Sequence, residues 1–381
     1  MNTNNSNTAT VKPVETKQQV KQFIKMAFDI YANDPNWVAP LNMDIAKRLD
    51  PKQEPFYQNA DLQIFMDYNQ NNKIVGRIAA IDNKLFNQIH ANANMGFWGF
   101  FECENNQTTA NALFEAAAQW LKPRGLNRVQ GPASPSSNHE YGLLTEGFDD
   151  PPRLMMTYNP PYYRDLILNY GFERAKGLVA FKLDQKTLLS NEKFVRVAAI
   201  AQQRSKVTVR KINMRHLADE LKIFKHIYNN AWEHNWGFIP FTDPELDAMA
   251  KDLKMLIADD LVLFAEIDGQ PIGFALAIPD YNLIFKSFKG NLFPFNFFKL
   301  FTQKKRINRA RVMVLGLLPQ YQGRGIDSVL YHELILRARK MGIDYAEASW
   351  ILEDNLPMMR AAENVLNGIP YKKYEVYEKD I

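Results

Sequence analysis

Cysteine is nearly absent from this chain: Cys103 is the only one in 381 residues. No internal disulfide can form, and a reducing compartment is expected. Long apolar runs are missing too, none approaching the roughly 18–20 uninterrupted residues that span a bilayer. Neither sign of charge dominates, with 46 Lys+Arg against 42 Asp+Glu, so no global field argues for a nucleic-acid partner. The six histidines show no metal-ligand spacing, and without a Gly-x-Ser-x-Gly elbow a Ser-His-Asp site has no support. Met1 to Thr10 is Asn/Thr-rich and uncharged, with no apolar run after it. It reads as a disordered cytosolic tail rather than a signal or transit peptide. What is there is an ordinary globular composition, 46% hydrophobic and 23% charged, long enough for two or three domains.

Internal repetition organises the chain. Gly99 and Gly125, and then Gly316 and Gly342, share one spacing and one context: an apolar strand, a helix, Gly plus an aliphatic residue, then a strand. The spacing predicts helices over about 108–122 and 326–340. Upstream, Ile74-Val75-Gly76 corresponds to Pro271-Ile272-Gly273, and Asn36-Trp37 to Asn235-Trp236. Two α/β units of one design are expected, at 11–184 and 206–381, joined through 185–205 by a connecting helix from Ser190, its N-cap, to Arg204. The second unit carries about twenty extra residues at 280–306.

In the second unit an apolar strand runs into Pro319-Gln320-Tyr321-Gln322-Gly323-Arg324-Gly325-Ile326-Asp327 and then an amphipathic helix. Strand, glycine loop and helix start together offer free N–H groups and a positive dipole end, which suit a pyrophosphate. The spacing is neither the dinucleotide fingerprint nor a P-loop. Gln320-x-x-Gly323-x-Gly325 instead resembles motif A of the GNAT superfamily of acyl-CoA N-acyltransferases. Gly131-Pro132-Ala133-Ser134-Pro135, Asn138-His139-Glu140, Pro160-Pro161-Tyr162-Tyr163, Asn235-Trp236-Gly237-Phe238 and Glu347-Ala348-Ser349-Trp350 look like its bacterial ceramide synthase branch.

The resemblance implies two tandem units, each a twisted mixed sheet flanked by helices, and acyl-CoA as co-substrate with no metal. It implies coenzyme A contacts at Leu317, Leu318, Gln320, Gln322, Gly323, Arg324, Gly325, Ile326, Asp327 and Asn355, with a backbone N–H near Leu317 or Leu318 for the oxyanion. The family's leaving-group tyrosine falls on Ala362, so that acid is missing. The amine needs a base at neutral pH: Glu347 first, then Glu353, and His139 or Glu140. His216, His226 and His332 lie in helical stretches and read as surface residues.

An ungapped alignment through Gly99 and Gly316 places Cys103, Asn106 and Thr108 opposite Gln320, Gly323 and Gly325. It also sets Asn138 opposite Asn355. Coenzyme A binding is therefore expected in the second unit alone, with the first helping to form the acceptor pocket through 134–140.

Residues 281–311 hold seven Phe and eight Lys/Arg but no Asp or Glu, leaving a net −4 elsewhere. Such a segment fits an anionic membrane surface, a tunnel for an acyl chain, a dock for acyl carrier protein, or a Phe core under a basic lid. Nucleic acid is not expected, for want of a recognised module. The expected activity is transfer of a long acyl chain from acyl-CoA to a lipophilic primary amine such as a sphingoid base. The alternatives are an acetyltransferase for a small amine or protein N-terminus, and a non-catalytic coenzyme A-binding scaffold.

Overall fold

The structure is a computed structural model and describes residues 10–91 and 93–381. The tail expected over 1–10 lies outside the described residues except for Thr10, which begins the first strand. Contacts divide the chain into two units. The first holds the residues up to Gly177, then Phe288–Asn291 and Tyr374–Ile381; the second holds Leu178–Ser287 and Leu292–Lys373. This division differs from the repeat boundaries because two long strands each change unit part-way along.

In the first unit the sheet runs β1 (Thr10–Pro13), β2 (Ala60–Tyr68), β3 (Ile74–Asn83), β4 (Met95–Cys103), β5 (Arg128–Gly131), and then the end of the C-terminal strand. Only β4 and β5 are parallel neighbours in it. Helices α1 (Lys17–Ile30), α2 (Asn42–Arg48), α3 (Lys84–Ile89) and α4 (Gln107–Leu121) connect these strands. A capping box fixes the start of α1: Thr16 and Gln19 satisfy each other's backbone N–H groups. Ala110, Leu113, Phe114, Ala117 and Leu121 make the buried face of α4 and share a core with Ile78, Ala80 and Trp98. Past β5 lie β6 (Ala133–Ser134), β7 (Glu140–Tyr141), β8 (Leu143–Glu146) and α5 (Tyr163–Asn169).

β9 (Glu173–Asp184) enters the second unit at Leu178. The connecting helix expected from Ser190 to Arg204 is α7 (Glu192–Ser205), and a short α6 (Gln185–Ser190) precedes it within 185–205. Asn191, not Ser190, caps α7 by accepting the Phe194 N–H at 3.2 Å. There follow β10 (Thr208–Lys211), α8 (Leu217–Trp232), α9 (Asp243–Leu253), β11 (Val262–Ile267), β12 (Gln270–Pro279), α10 (Asn282–Phe285) and α11 (Lys299–Thr302). The chain closes with β13 (Arg309–Leu317), α12 (Ile326–Lys340), β14 (Tyr345–Leu352), α13 (Leu356–Arg360) and β15 (Ile369–Asp380).

The strands of the second unit are ordered β9–β14–β13–β12–β11–β10, again with one parallel pair, β13 and β14. Asp268 and Gly269, both at positive φ, make the two-residue turn between β11 and β12. Val329, Leu330 and Leu334 bury one face of α12. Gly125 and Gly342 stand at φ +79° and +78°, Gly125 closing the 3-10 turn Lys122–Arg124 after α4 and Gly342 following α12, with buried Leu126 and Ile343 next. That half of the repeat spacing is structural.

Its other half is not. Gly76 pairs with Cys103 and Gly273 with Leu317, so by register Gly316 corresponds to Glu102 and not to Gly99. The two glycines yield to different neighbours. A Cβ on Gly99 would meet the Ala133 carbonyl, and one on Gly316 would meet the Trp232 ring. The insertion is the β12–β13 connection, with Asp280 at its base in a buried ion pair with Arg309 at 2.8 Å.

Candidate active site

Parallel β13 and β14 pair only from Arg309–Val312 to Tyr345–Ala348 and then part. Met313–Leu315 of β13 are half-buried where the partner has left. Neighbouring residues on a strand send their N–H groups to opposite edges. Leu318 donates its N–H to the Ile272 carbonyl at 2.9 Å, so it is not available as an oxyanion donor. Leu317, which faces Gly273, therefore turns its N–H toward the β14 edge. Of the two expected donors, Leu317 is the one placed at the gap. Its carbonyl on the same edge accepts from the Gln322 side chain at 3.0 Å. Gln322 is thus a brace for the loop.

The loop Leu318–Gly325 then leads into α12. Gln320, Gln322, Gly323 and Arg324 are exposed. Gly323 and Gly325 have φ of +71° and +77°, a region that disfavours side chains. Nothing lies within 4 Å of a Cβ built on Gly323, whereas one on Gly325 would come 3.1 Å from Ala201 of α7. Gly325 is the N-cap of a 15-residue helix and supplies no side-chain acceptor. Arg324 adds a cation, its guanidinium 5.4 Å from the Tyr321 ring centre. These residues fit a pyrophosphate. Asp327 opposes one: its carboxylate, with a pKa raised by burial, accepts from its own N–H and from that of Ser328.

Glu347 is 1% exposed on β14, directly opposite Arg311 of β13. It accepts from the Ser349 hydroxyl and from the Tyr371 hydroxyl. Arg311, also buried, donates to Ser349 Oγ at 3.0 Å and to the Ser349 carbonyl at 3.2 Å. The carboxylate is thus held by two hydroxyls with a guanidinium behind one of them, an arrangement that can take and pass a proton. Arg311, Ser349 and Tyr371 were not singled out from the sequence as chemistry-bearing residues. The one signal available was a charged residue inside an otherwise apolar strand, at Arg311.

The other expected residues have separate settings. Glu353 is half-buried in the turn after β14. Asn355 caps α13, its side chain accepting the Met358 N–H at 3.2 Å. Ala362 is 2% exposed among Phe181, Tyr331 and Leu366, so the position of the family's tyrosine points into a core. His139 and Glu140 belong to the first unit. His139 Nδ1 lies 2.9 Å from Ser136 Oγ, with Phe56 at its edge. Burial, then the Arg48 and Lys47 charges, lower its pKa to about 3. Glu140 pairs with Arg48 at 2.7 Å. His216 and His226 are exposed, and His332 is half-buried against Phe194. Among the described residues no group of three or more His, Cys, Asp or Glu could hold a metal ion.

In the first unit β4 and β5 also pair briefly, Met95–Phe97 with Arg128–Gln130, and then part. Here the gap is filled. Ser134 Oγ accepts the Phe100 N–H at 2.9 Å. The Tyr162 hydroxyl donates to the Cys103 carbonyl at 2.8 Å, and the Cys103 N–H donates to the Tyr163 hydroxyl at 2.8 Å. Only Glu104–Asn106 separate β4 from α4, where Leu318–Gly325 separate β13 from α12. The side chain of Asn106 takes the Thr108 and Thr109 N–H groups, so these donors have a ligand of their own.

Residues 221–366 match the model of the acetyltransferase (GNAT) family. The chain is 35% identical to a bacterial ceramide synthase of Caulobacter vibrioides, across 97% of both chains. It is equally 35% identical to protein YghO of Escherichia coli, across 97% of this chain and 95% of that one. The fold is similar to that of a tandem GNAT protein from the clavulanic acid biosynthesis pathway, with a TM-score of 0.57 and 12% identity over 98% of each. Glycine loop, parted strands and whole-length similarity agree: the chain belongs to the GNAT family, as an N-acyltransferase of the tandem, bacterial ceramide synthase-like branch.

Proposed function

We propose that this protein transfers a long acyl chain from acyl-CoA to a lipophilic primary amine such as a sphingoid base, working at the cytoplasmic face of the membrane. The observation that carries the reading is the open gap between β13 and β14 beside the exposed glycine loop, with Glu347 at its closed end. The name of the Caulobacter relative supports the lipid acceptor. So does the aromatic set of Tyr228, Trp232, Phe238 and Phe274, in which Trp232 lies against Gly316 of β13.

The loop from Gln320 to Ile326 would hold the pyrophosphate, and Leu317 N–H would receive the charge that grows on the thioester oxygen. The amine lone pair attacks the thioester carbon. Glu347 takes the proton released from nitrogen, and Tyr371, bonded to that carboxylate, relays a proton toward the departing thiolate. Carbon–nitrogen bond formation and carbon–sulfur bond cleavage balance, giving an amide and free coenzyme A. Acyl carrier protein is the alternative donor carrier.

The test is to mix the pure protein with acyl-CoAs of graded length and with amines, and to identify amides by mass while following thiol release. Long-chain amides of a sphingoid base are expected. Faster turnover of acetyl-CoA with a small polar amine would replace this reading with an acetyltransferase, and no thiol release at all would remove it.

A further inference from the structure

Phenylalanine is abundant here, 25 residues, yet the exposed ones are Phe293, Phe295, Phe298 and Phe301, all within one nine-residue stretch of the β12–β13 connection. Phe295 is 80% exposed, Phe298 and Phe301 64%, and Phe293 60%. The rest of the connection behaves as core, with Ile284, Phe285, Phe288 and Leu300 buried. Three of the four exposed rings pack on one neighbour. Half-buried Phe297 stacks on Phe293 at 5.5 Å and meets Phe298 and Phe301 edge-on at 6.1 and 5.3 Å. Exposed Lys286, Lys289, Lys304, Lys305 and Arg306 flank them. No acidic residue occurs between Tyr281 and Arg311, so no carboxylate of the segment itself offsets these cations.

We propose that this aromatic surface docks the protein on an anionic bilayer, the four phenylalanines entering the headgroup boundary and the flanking cations meeting lipid phosphates. Apolar rings in such numbers are costly in water and are gathered at interaction surfaces. At 60–80% exposure the rings have no walls to seat a partner's side chain, so a protein would enclose each only in part. A bilayer surrounds every ring it admits, and it supplies negative charge along the whole basic margin. The surface deepens the lipid-acceptor reading and rests on it for its purpose: a sphingoid base lies in the membrane that the surface would reach.

The test is co-sedimentation of the full-length protein with phosphatidylcholine vesicles, with and without a quarter phosphatidylglycerol. Binding to the anionic vesicles is expected, weakened at least about tenfold by F295S/F298S and, separately, by K304E/K305E or raised salt. All variants should keep wild-type turnover of a water-soluble short-chain acyl-CoA, which shows that they fold. Failure of the wild type to sediment, or equal sedimentation of F295S/F298S, overturns the proposal. Equal binding to neutral and anionic vesicles overturns its electrostatic half. Phe-dependent capture by immobilised acyl carrier protein without vesicle binding overturns it in favour of a protein partner. Vesicle binding without long-chain amide formation leaves this surface standing and removes the acyl-transfer reading; amide formation without vesicle binding does the reverse.

Discussion

Both units of this chain make the same turn, a strand parting from its parallel neighbour and running into a helix, but the gaps that result differ. In the first unit a serine and two tyrosines occupy the freed strand edge, and an asparagine side chain takes the helix donors. In the second, Leu317 turns its N–H toward the freed edge, and the helix start has glycine at its N-cap. Parallel strands that part leave backbone groups needing partners. The first unit satisfies them with the side chains of Ser134, Tyr162, Tyr163 and Asn106; in the second, Asp327 takes its own N–H and that of Ser328, while Leu317 turns its N–H toward the β14 edge. The two units thus differ by five residues in one loop and by a few polar side chains at the freed strand edge.

The contrast can be broken most sharply at Glu347. E347Q should lower kcat by about 10²–10³-fold with coenzyme A affinity unchanged by calorimetry, whereas Y371F should cost about tenfold and alter the pH–rate profile. An E347Q enzyme with normal kcat would leave the second unit without its base. Next comes the loop. Gly325→Glu forces a side chain into positive φ against Ala201 and sets a negative charge at the helix start, so coenzyme A affinity should fall about hundredfold. N106A, at the corresponding cap of the first unit, should cost about 1 kcal/mol of stability and leave that affinity alone. Equal losses from both would mean that both units bind.

A third effect concerns pH. Folded His139 titrates near about 3 against an ordinary 6.5, so between those values the unfolded chain binds more protons. Its contribution is full above about 6.5 and is lost as pH falls toward about 3. H139Q should flatten that acid limb in denaturation midpoints. S134A should strand the buried Phe100 N–H at a cost of about 1–3 kcal/mol while kcat stays at the wild-type value. A fall in kcat would show that the filled gap also takes part in the reaction.

Much of the fold was legible because it is written in local patterns. The expected helices over 108–122 and 326–340 are Gln107–Leu121 and Ile326–Lys340, fixed by apolar periodicity and a following glycine. The glycine loop could be read for a similar reason, since positive φ demands a residue type. The match of Gly99 to Gly316 misled because a glycine can be required by any close neighbour, here the Ala133 backbone in one case and an indole in the other. Glu347 stood out by type, but its partners did not. Arg311 and Tyr371 lie 36 residues before it and 24 residues after it, and only strand register and packing bring them together.

By itself, then, the sequence determined that two similar α/β units exist, that only the second has the glycines for a phosphate loop, and that one segment is aromatic and basic. The tertiary structure decided three matters that depend on partners distant in the chain. It turned the Leu317 N–H, and not that of Leu318, toward the β14 edge, because alternation along β13 commits Leu318 to Ile272. It filled the first gap with Ser134, Tyr162 and Tyr163. It also sorted the phenylalanines of the insertion into buried and exposed sets, which composition cannot do, because burial depends on which neighbours the fold supplies.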